Sequence, residues 1–201
     1  ARVARDAASP RVLANLRGLQ SRFRGRRVIL GIDRLDYTKG IIERLRAFEV
    51  LLEQRKDLRT RVTLVQLAVP SRGDIREYRD LRAQVEEAVG RIAGRFTEPG
   101  GESPIHYVHR AVPYERLLAF YRLADVAAVT PLRDGMNLVA KEYCVAQAAG
   151  SGDGALVLSV FAGAREELPE SIPCNPYHPE GIAGALELAL ELGEDERRAR
   201  M

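Results

Sequence analysis

Apolar and polar positions follow two alternating rhythms along the chain: short unbroken apolar runs, and runs in which apolar residues recur at helical spacing. The short runs are RVILGID, VTLVQLAV, IHYVH, DVAAVT, ALVLSV and SIPCN. The runs that follow them are IIERLRAFEVLLEQ, DIREYRDLRAQVEEAVGRIAGRF, YERLLAFYRLA, LVAKEYCVAQAA, GAREEL and GIAGALELALEL. The first kind is typical of buried parallel strands and the second of amphipathic helices. The alternation predicts an α/β fold, a Rossmann-like, doubly wound parallel sheet in one domain over residues 1–201.

Four further predictions concern the helices and loops around this alternation. A leading helix is expected around PRVLANLRGLQSRF, before the first strand. In the longest helical run, apolar spacing predicts one buried stripe formed by Ile75, Tyr78, Val85, Val89, Ile92 and Phe96. Asp74 is the expected N-cap of that helix. The segments 97–103 and 149–154 are predicted to be surface loops.

Composition narrows the classes of partner. The 201 residues are 46% hydrophobic, enough to bury a core, and 31 basic against 28 acidic residues leave a net charge of +3. This surplus is too small to predict a nucleic-acid partner, and the basic run RFRGRR at 22–27 is expected to be a solvated loop. Cys144 and Cys174 have no ligand-like neighbours, so no disulfide, metal site or cofactor is expected. Without a signal peptide or a bilayer-spanning apolar run, a cytoplasmic protein without membrane contact is expected.

Two cations follow the first predicted strand, in the segment GIDRLDYTKGI at 31–41. Arg34 and Lys39 lie where the strand gives way to a helix, so both can reach over the carboxyl edge of the sheet. The segment contains neither a G-x-G-x-x-G fingerprint nor a Walker motif. Two flexible cations suit a diphosphate leaving group, on which negative charge grows as its bond breaks. The residues alone leave open that both are solvated loop cations.

The segment TPLRDGMNLVAKE, residues 130–142, turns from a buried strand into a helix. Asp134 and Asn137 are polar residues at the carboxyl edge of the sheet, and Gly135 permits a close approach of the backbone to a ligand. The N–H groups of residues 135–139 would face a bound anion or sugar hydroxyls. Glu142 lies one helical turn further on and could accept hydrogen bonds from a ribose. Asp134 as a simple cap and Glu142 on a solvated face remain open alternatives.

Other polar residues carry a weaker signal. Arg72, in AVPSRGD, has the planar fork that suits a phosphate, although turn formation accounts for its neighbours. His106 and His109 lie in a strand-like run and are expected to be partly buried, hydrogen-bonded imidazoles, whereas His178 falls in a proline-rich turn. The sequence contains no motif that would place a nucleophile, a general base and a general acid together as in a hydrolase.

Several of these segments together resemble the trehalose-6-phosphate synthase family of retaining glycosyltransferases. They are GIDRLDYTKGI, VQLAVPSRGD, GRF, PIHYV, RLADVAAVTPLRDGMNLVAKEY and VLSVFAGAREEL, and the likeness runs from about Arg27 to Met201. The resemblance implies the C-terminal, nucleotide-sugar-binding half of a GT-B enzyme, whose N-terminal acceptor domain is absent from this chain. The family transfers glucose from a nucleoside diphosphate to glucose 6-phosphate. Cys144 and Arg165 depart from its usual residues, outside the motif positions.

The resemblance also implies a role for each matching residue. Arg34 and Lys39 would hold the donor diphosphate, Asp134 the glucose hydroxyls, and Arg72 the phosphate of the acceptor; the first three are the implied catalytic residues. The remaining implied donor contacts are Val112, through its backbone towards the base, the segment Gly135, Met136, Asn137, Leu138 and Val139, and Glu142 on the ribose. The acceptor would attack from the face that the diphosphate leaves, so positioning and charge stabilisation would replace a carboxylate dyad.

The resemblance leaves several points open. UDP-glucose is the expected donor, with guanosine and adenosine nucleotides as alternatives, and a homo-oligomer is compatible with the sequence. A relative that glucosylates another phosphorylated acceptor, such as glycerol 3-phosphate, and a non-catalytic nucleotide-sugar-binding module are the rival functions. A Rossmann-type NAD enzyme is disfavoured by the missing glycine fingerprint. The chain by itself is expected to be inactive.

Overall fold

The computed structural model describes residues 2–71 and 75–201 and contains a six-stranded parallel sheet. The strand order is β3-β2-β1-β4-β5-β6, and each strand is parallel to its neighbours. The strands are β1 (Arg27–Arg34), β2 (Val62–Val69), β3 (Ile105–Val108), β4 (Val126–Val129), β5 (Ala155–Ser159) and β6 (Ile172–Cys174). The chain leaves β1 in one direction along the sheet and returns to its other side at β4. This reversal opens a crevice at the carboxyl ends of β1 and β4, where α/β proteins bind ligands.

Helices cover both faces of the sheet. They are α1 (Arg2–Ala7), α2 (Pro10–Arg22), α3 (Ile41–Gln54), α4 (Arg76–Phe96), α5 (Tyr114–Leu123), α6 (Leu138–Ala148), α7 (Pro179–Glu191) and α8 (Glu194–Arg200). The segments Tyr37–Lys39, Lys56–Leu58 and Gly163–Glu166 are single 3₁₀ turns. Buried residues of α3, α4 and α7 form one core on one face, and those of α1, α2, α5 and α6 form a second core on the other. The predicted doubly wound α/β sheet is confirmed.

Neighbouring residues of β1 enter opposite cores, because successive side chains of a strand point to opposite faces. Ile29 packs with the α3, α4 and α7 side, whereas Leu30 packs with the other side. β1 and β4 are buried almost throughout, which is why both are apolar without alternation. Full burial of a side chain of this size contributes about 1.5–3 kcal/mol. The centre of the sheet is therefore the rigid support from which the loops at its carboxyl edge project.

The predicted stripe of α4 is correct for most of its members but not for its first. Tyr78, Val85, Ile92 and Phe96 are buried and Val89 is partly buried, whereas Ile75 is 41% exposed. Ile75 precedes the helix with an extended backbone, φ −88° and ψ 132°, so the helical period does not apply to it. The predicted N-cap, Asp74, lies outside the described residues.

The prediction that the basic run at 22–27 is a solvated loop is wrong for Arg26. Its side chain is 10% exposed, and its guanidinium donates hydrogen bonds to the hydroxyl of Thr63 at 2.9 Å and the carbonyl of Ser103 at 3.2 Å. Arg26 therefore fastens the start of β1 to β2 and to the loop before β3. Among the described residues, every helix is too short or too polar to span a bilayer.

Candidate functional site

Two turns meet at the carboxyl edge of the sheet, one after β1 and one after β4, because these strands are neighbours. The N–H of Leu132 donates to the carbonyl of Thr38 at 2.8 Å. Gly40 has φ 63°, and a Cβ atom there would lie 2.1 Å from the carbonyl oxygen of Thr130. Only glycine permits both this backbone conformation and this approach. The two turns therefore form one packed unit.

An ion pair between Lys39 and Asp134 lies at the centre of this unit. The Lys39 Nζ atom is 2.7 Å from Asp134 Oδ2, and both side chains are 16% exposed. The amide of Asn137 donates to the same oxygen at 3.1 Å. Burial opposes ionisation of Asp134, but the ammonium of Lys39 and the donated hydrogen bonds outweigh it and hold the pKa of Asp134 below its ordinary value. The structure brings together two residues that the sequence analysis assigned to one site.

Arg34 is the last residue of β1 and lies opposite Val69 of β2. Its side chain is exposed, and among the described residues it has no carboxylate partner. The cation therefore lies at the same edge as Lys39, and no described residue accepts a hydrogen bond from its guanidinium. This position is compatible with both interpretations of Arg34, a diphosphate contact and a solvated cation.

The N-terminus of α6 presents free backbone donors beside Asp134. Asn137, with φ 67°, is the N-cap, and its Oδ1 accepts the N–H of Ala140 at 3.1 Å. The N–H groups of Leu138 and Val139 have no acceptor in the described part of the chain. Unsatisfied donors in a first helical turn favour an anion, since the helix dipole has its positive end there. Of the donors predicted over residues 135–139, those of Leu138 and Val139 are thus available, whereas the N–H of Met136 donates to Asp134 Oδ1 at 3.4 Å.

The loop after β5 holds the backbone around Asp134 from the other side. The N–H of Asp134 donates to the carbonyl of Phe161 at 3.2 Å, and the N–H of Gly163 donates back to the carbonyl of Asp134 at 3.0 Å. A Cβ atom on Gly163 would lie 2.1 Å from the carbonyl oxygen of Gly135. Among the described residues, a Cβ atom on Gly135 would meet no atom within 4 Å beyond its chain neighbours. The close protein packing therefore needs Gly163, which the sequence analysis missed, and the space beside Gly135 is open to a ligand.

Glu142 is oriented by a buried tyrosine. Its Oε2 atom accepts a hydrogen bond at 3.0 Å from the hydroxyl of Tyr121, a residue of α5 that is 1% exposed. Burial and the charge of Glu142 raise the pKa of Tyr121 well above its ordinary value, so the phenol stays a donor. The second carboxylate oxygen accepts no hydrogen bond from a described residue. Tyr121 is a second missed residue, since its place in an apolar helical run predicts only burial.

A cavity of about 320 Å³ lies between the end of β3 and α5. Its lining consists of Leu67, Val108, Arg110, Ala111, Val112, Pro113, Arg116 and Phe120. Phe120 precedes Tyr121 on α5, so the same helix borders the cavity and orients Glu142. Apolar walls with a few polar groups are typical of small-molecule sites. Val112 thus lies where a planar, partly apolar group could be enclosed.

The histidines lie outside this unit. His106 packs edge-on against the ring of Phe23, and Tyr107 stacks on His109 with ring centroids 6.1 Å apart. Both imidazoles are partly buried as predicted, but the predicted hydrogen bonds are wrong: neither ring bonds to a described residue, and the buried Nε2 atom of His109 has no partner among them. Burial lowers the pKa of His109 and raises the pKa of Tyr107 to about 12. His178 caps α7, where its Nδ1 atom accepts the N–H of Gly181.

Two further predictions concern the rest of the site. Arg72, assigned to the acceptor phosphate, lies outside the described residues. Within the described ranges, no group of three or more His, Cys, Asp or Glu side chains could hold a metal ion.

The chain matches the model of glycosyltransferase family 20 over residues 1–201. It belongs to that family. It is 48% identical over 181 residues to the alpha,alpha-trehalose-phosphate synthase [UDP-forming] of Schizosaccharomyces pombe, covering 90% of this chain and 35% of that protein. The resemblance to the trehalose-6-phosphate synthase family is therefore confirmed. The chain spans about a third of the length of the curated relatives it matches.

Solved structures give the same result for the fold. A UDP-forming alpha,alpha-trehalose-phosphate synthase from Burkholderia xenovorans, in complex with glucose-6-phosphate, has a TM-score of 0.93 and 44% identity, covering 99% of this chain and 43% of that one. An Escherichia coli structure bound with UDP-2-fluoro glucose has a TM-score of 0.92 and 40% identity, covering 99% of this chain and 44% of that one. The predicted Rossmann-like half of a GT-B fold is confirmed.

Proposed function

We propose that this chain is the donor-binding half of a retaining glycosyltransferase that moves glucose from a nucleoside-diphosphate-glucose to glucose 6-phosphate, giving trehalose 6-phosphate. The observation that carries the proposal is the Lys39–Asp134 pair, placed beside the free N-terminus of α6 at the carboxyl edge of the sheet. The relatives support the reaction, since one is named as UDP-forming and related structures contain UDP-2-fluoro glucose and glucose-6-phosphate. UDP-glucose is the proposed donor.

The arrangement supports an exchange of partners when the donor binds. Without a ligand, the ammonium of Lys39 neutralises Asp134. A diphosphate carries more negative charge than one carboxylate and therefore competes for Lys39. Arg34 and the free N–H groups at the start of α6 add further positive potential. Asp134, released from Lys39, can then accept hydrogen bonds from the glucose hydroxyls.

The same groups account for catalysis in this proposal. As the bond from glucose C1 to the diphosphate oxygen breaks, negative charge grows on that oxygen, and Lys39 and Arg34 stabilise it. The hydroxyl oxygen of the acceptor forms the new bond to C1 on the same face, and its proton passes to the departing diphosphate. Asp134 serves in sugar positioning and not as a nucleophile. The acceptor contact of Arg72 rests on the resemblance alone.

The base and the ribose have separate proposed contacts. The cavity beside Val112 would bind the base. Glu142 would accept hydrogen bonds from the ribose hydroxyls with Oε1, since Tyr121 donates to Oε2. A uracil ring suits this cavity, because its N3–H can donate to a backbone carbonyl and its O2 and O4 atoms can accept backbone N–H groups. Because the two contacts are separate, substitutions beside Val112 should change binding of the base, and substitutions that affect Glu142 should change binding of the ribose.

Nucleotide binding by the 201-residue chain tests the proposal. We expect weak, saturable binding of UDP, because the sheet edge is complete whereas pre-organisation by a second domain is missing. The chain has three lysines, Lys39, Lys56 and Lys141, so a sample with ¹³C-labelled lysine resolves each side chain by NMR. UDP should shift the Lys39 signal and leave Lys56 and Lys141 in place. GDP and ADP, titrated in parallel, report the base preference.

The outcomes of this titration separate the rival functions. A folded chain that shows no saturable shift at Lys39 with UDP, GDP or ADP would contradict the donor-half proposal. Binding without glucosyl transfer by the full-length enzyme would favour a non-catalytic module. Transfer to glycerol 3-phosphate in place of glucose 6-phosphate would correct the acceptor.

A conservative change at Tyr121 tests the ribose contact. Tyr121→Phe removes the hydrogen bond that orients Glu142, a loss of about 0.5–1.5 kcal/mol, so the Kd for UDP should rise up to about tenfold. The Kd for a dideoxyuridine diphosphate, which lacks both ribose hydroxyls, should not change. Tyr143→Phe is the matched control, since the Tyr143 hydroxyl is buried on the carbonyl of Ala124 and does not touch Glu142. An equal effect of both variants would show that Tyr121 acts on stability alone.

A further inference from the structure

Arg44 of α3 lies beneath the two turns and is fully buried, with 0% of its surface exposed. Its guanidinium donates to Asp33 Oδ2 at 2.7 Å and to Gln66 Oε1 at 2.9 Å. The same group donates to the hydroxyl of Thr130 at 3.1 Å and to the backbone carbonyl of Lys39 at 3.4 Å. One side chain thus contacts β1, β2, the residue after β4, and the turn that carries Lys39.

These contacts join the two turns that carry the ion pair of the site. Lys39 belongs to the first turn, and Thr130 begins the segment that leads to Asp134. The hydroxyl of Thr130 also lies 3.4 Å from the carbonyl of Gly40, to which it donates. Arg44 is therefore connected to both sides of the pair, directly on the lysine side and through Thr130 on the aspartate side.

The strand beside Arg44 is shaped to receive the guanidinium. A Cβ atom on Gly31 would lie 2.5 Å from Arg44 Nη1 and 2.4 Å from Gln66 Oε1. Any larger residue at position 31 would displace this hydrogen-bonded group. The absence of a side chain at Gly31 is thus a second feature of the structure that serves the placement of Arg44.

Stability alone does not account for this buried pair. Desolvation of two buried charges offsets much of their attraction, and apolar residues of similar volume often serve as well. Burial raises the pKa of Asp33, and Arg44 offsets only part of this effect. The group lies under the site and not in a remote part of the core, so its geometry bears directly on Lys39.

We propose that Arg44 is a positioning residue for the transfer reaction, and that it holds the Lys39 turn and the end of β4 at the separation the sugar diphosphate requires. The inference rests on the proposed function. Arg44 holds Lys39 by its backbone carbonyl. The side chain of Lys39 therefore remains free to exchange Asp134 for the diphosphate. Asp33 and Gln66 in turn orient the guanidinium.

The test compares two buried arginines in the 201-residue chain with UDP as the probe. Arg44→Met and Arg44→Lys should both raise the Kd for UDP, by about tenfold for Met, which corresponds to about 1.4 kcal/mol of lost binding free energy. Lysine should recover part of the affinity, because it keeps the charge and loses the fork. Arg197→Lys is the matched control: Arg197 is 2% exposed and donates to the carbonyls of Ala189 and Leu192, with no contact to the site.

Thermal unfolding of each variant separates positioning from stability. Arg44→Lys and Arg197→Lys should both lower Tm, while only Arg44→Lys weakens UDP binding and moves the Lys39 NMR signal of the free protein. Thr130→Val, which removes one hydroxyl contact, should raise the Kd severalfold and carries the test if the Arg44 variants do not fold. If the wild-type chain binds UDP and the folded Arg44 and Thr130 variants bind it equally well, the positioning role is wrong. If the wild-type chain binds no nucleotide, the proposed function itself fails.

Discussion

Replacing Lys39 with alanine should lower kcat of the full-length enzyme about a hundredfold, the scale observed when one charge-stabilising donor is removed from an active site. The ammonium of Lys39 lies 2.7 Å from Asp134, and its side chain is 16% exposed at the sheet edge that carries the proposed diphosphate site. In the proposed mechanism, the contact of Lys39 with the diphosphate strengthens as the leaving group gains charge. The loss should therefore appear in kcat more than in the affinity for UDP-glucose.

Steady-state and single-turnover kinetics with UDP-glucose and glucose 6-phosphate measure this effect. Lys141→Ala is the control, because Lys141 also forms an ion pair, with Glu167 at 2.6 Å, but on the surface of α6. We expect the control to transfer glucose at the wild-type rate. An unchanged kcat and donor affinity in Lys39→Ala would show that Lys39 is a loop cation without a role in transfer.

Replacing Asp134 with asparagine should change binding and transfer in opposite directions. The substitution keeps the size of the side chain but removes the charge that neutralises Lys39. UDP should then bind up to about fivefold more tightly, because a partly exposed ion pair of about 1 kcal/mol no longer competes with the diphosphate. Glucosyl transfer should fall about a hundredfold, since an amide orients the glucose hydroxyls less well than a carboxylate.

Calorimetry with UDP and initial rates with UDP-glucose provide the two measurements. Asp153→Asn is a suitable control, because Asp153 pairs with Arg198 at 2.9 Å, outside the contacts of the site. Weaker UDP binding in Asp134→Asn, together with an unchanged transfer rate, would place Asp134 on the nucleotide and not on the sugar.

Most of the fold could be predicted because its strands and helices are strongly patterned. The segments VTLVQLAV and IIERLRAFEVLLEQ coincide with β2 and α3 residue by residue. The two missed helices, α1 and α8, are short, and α8 is almost entirely charged. It packs through the buried guanidinium of Arg197 and not through an apolar stripe. Periodicity of apolar residues cannot detect a helix of that kind.

The site was only partly predictable. Lys39 and Asp134 are 95 residues apart, and they meet because β1 and β4 are neighbours, which strand patterns do not reveal. Their roles therefore came from the family resemblance, and they remain predictions. Arg44 was missed because an arginine in an amphipathic helix is normally assigned to solvent. Its position, three residues after Ile41 and four before Phe48, is on the apolar face of α3 and contained the missing signal.

The glycine contacts around Asp134 have a consequence for laboratory evolution of this domain. A methyl group at Gly40 or Gly163 would collide with a backbone carbonyl, whereas the side chains of Met136 and Leu138 are more than half exposed. A saturation library over these four positions should thus yield folded clones with many residues at 136 and 138. Folded clones should keep glycine at 40 and 163. Selection for new sugar donors can therefore begin at Met136 and Leu138, where diversity costs the scaffold least.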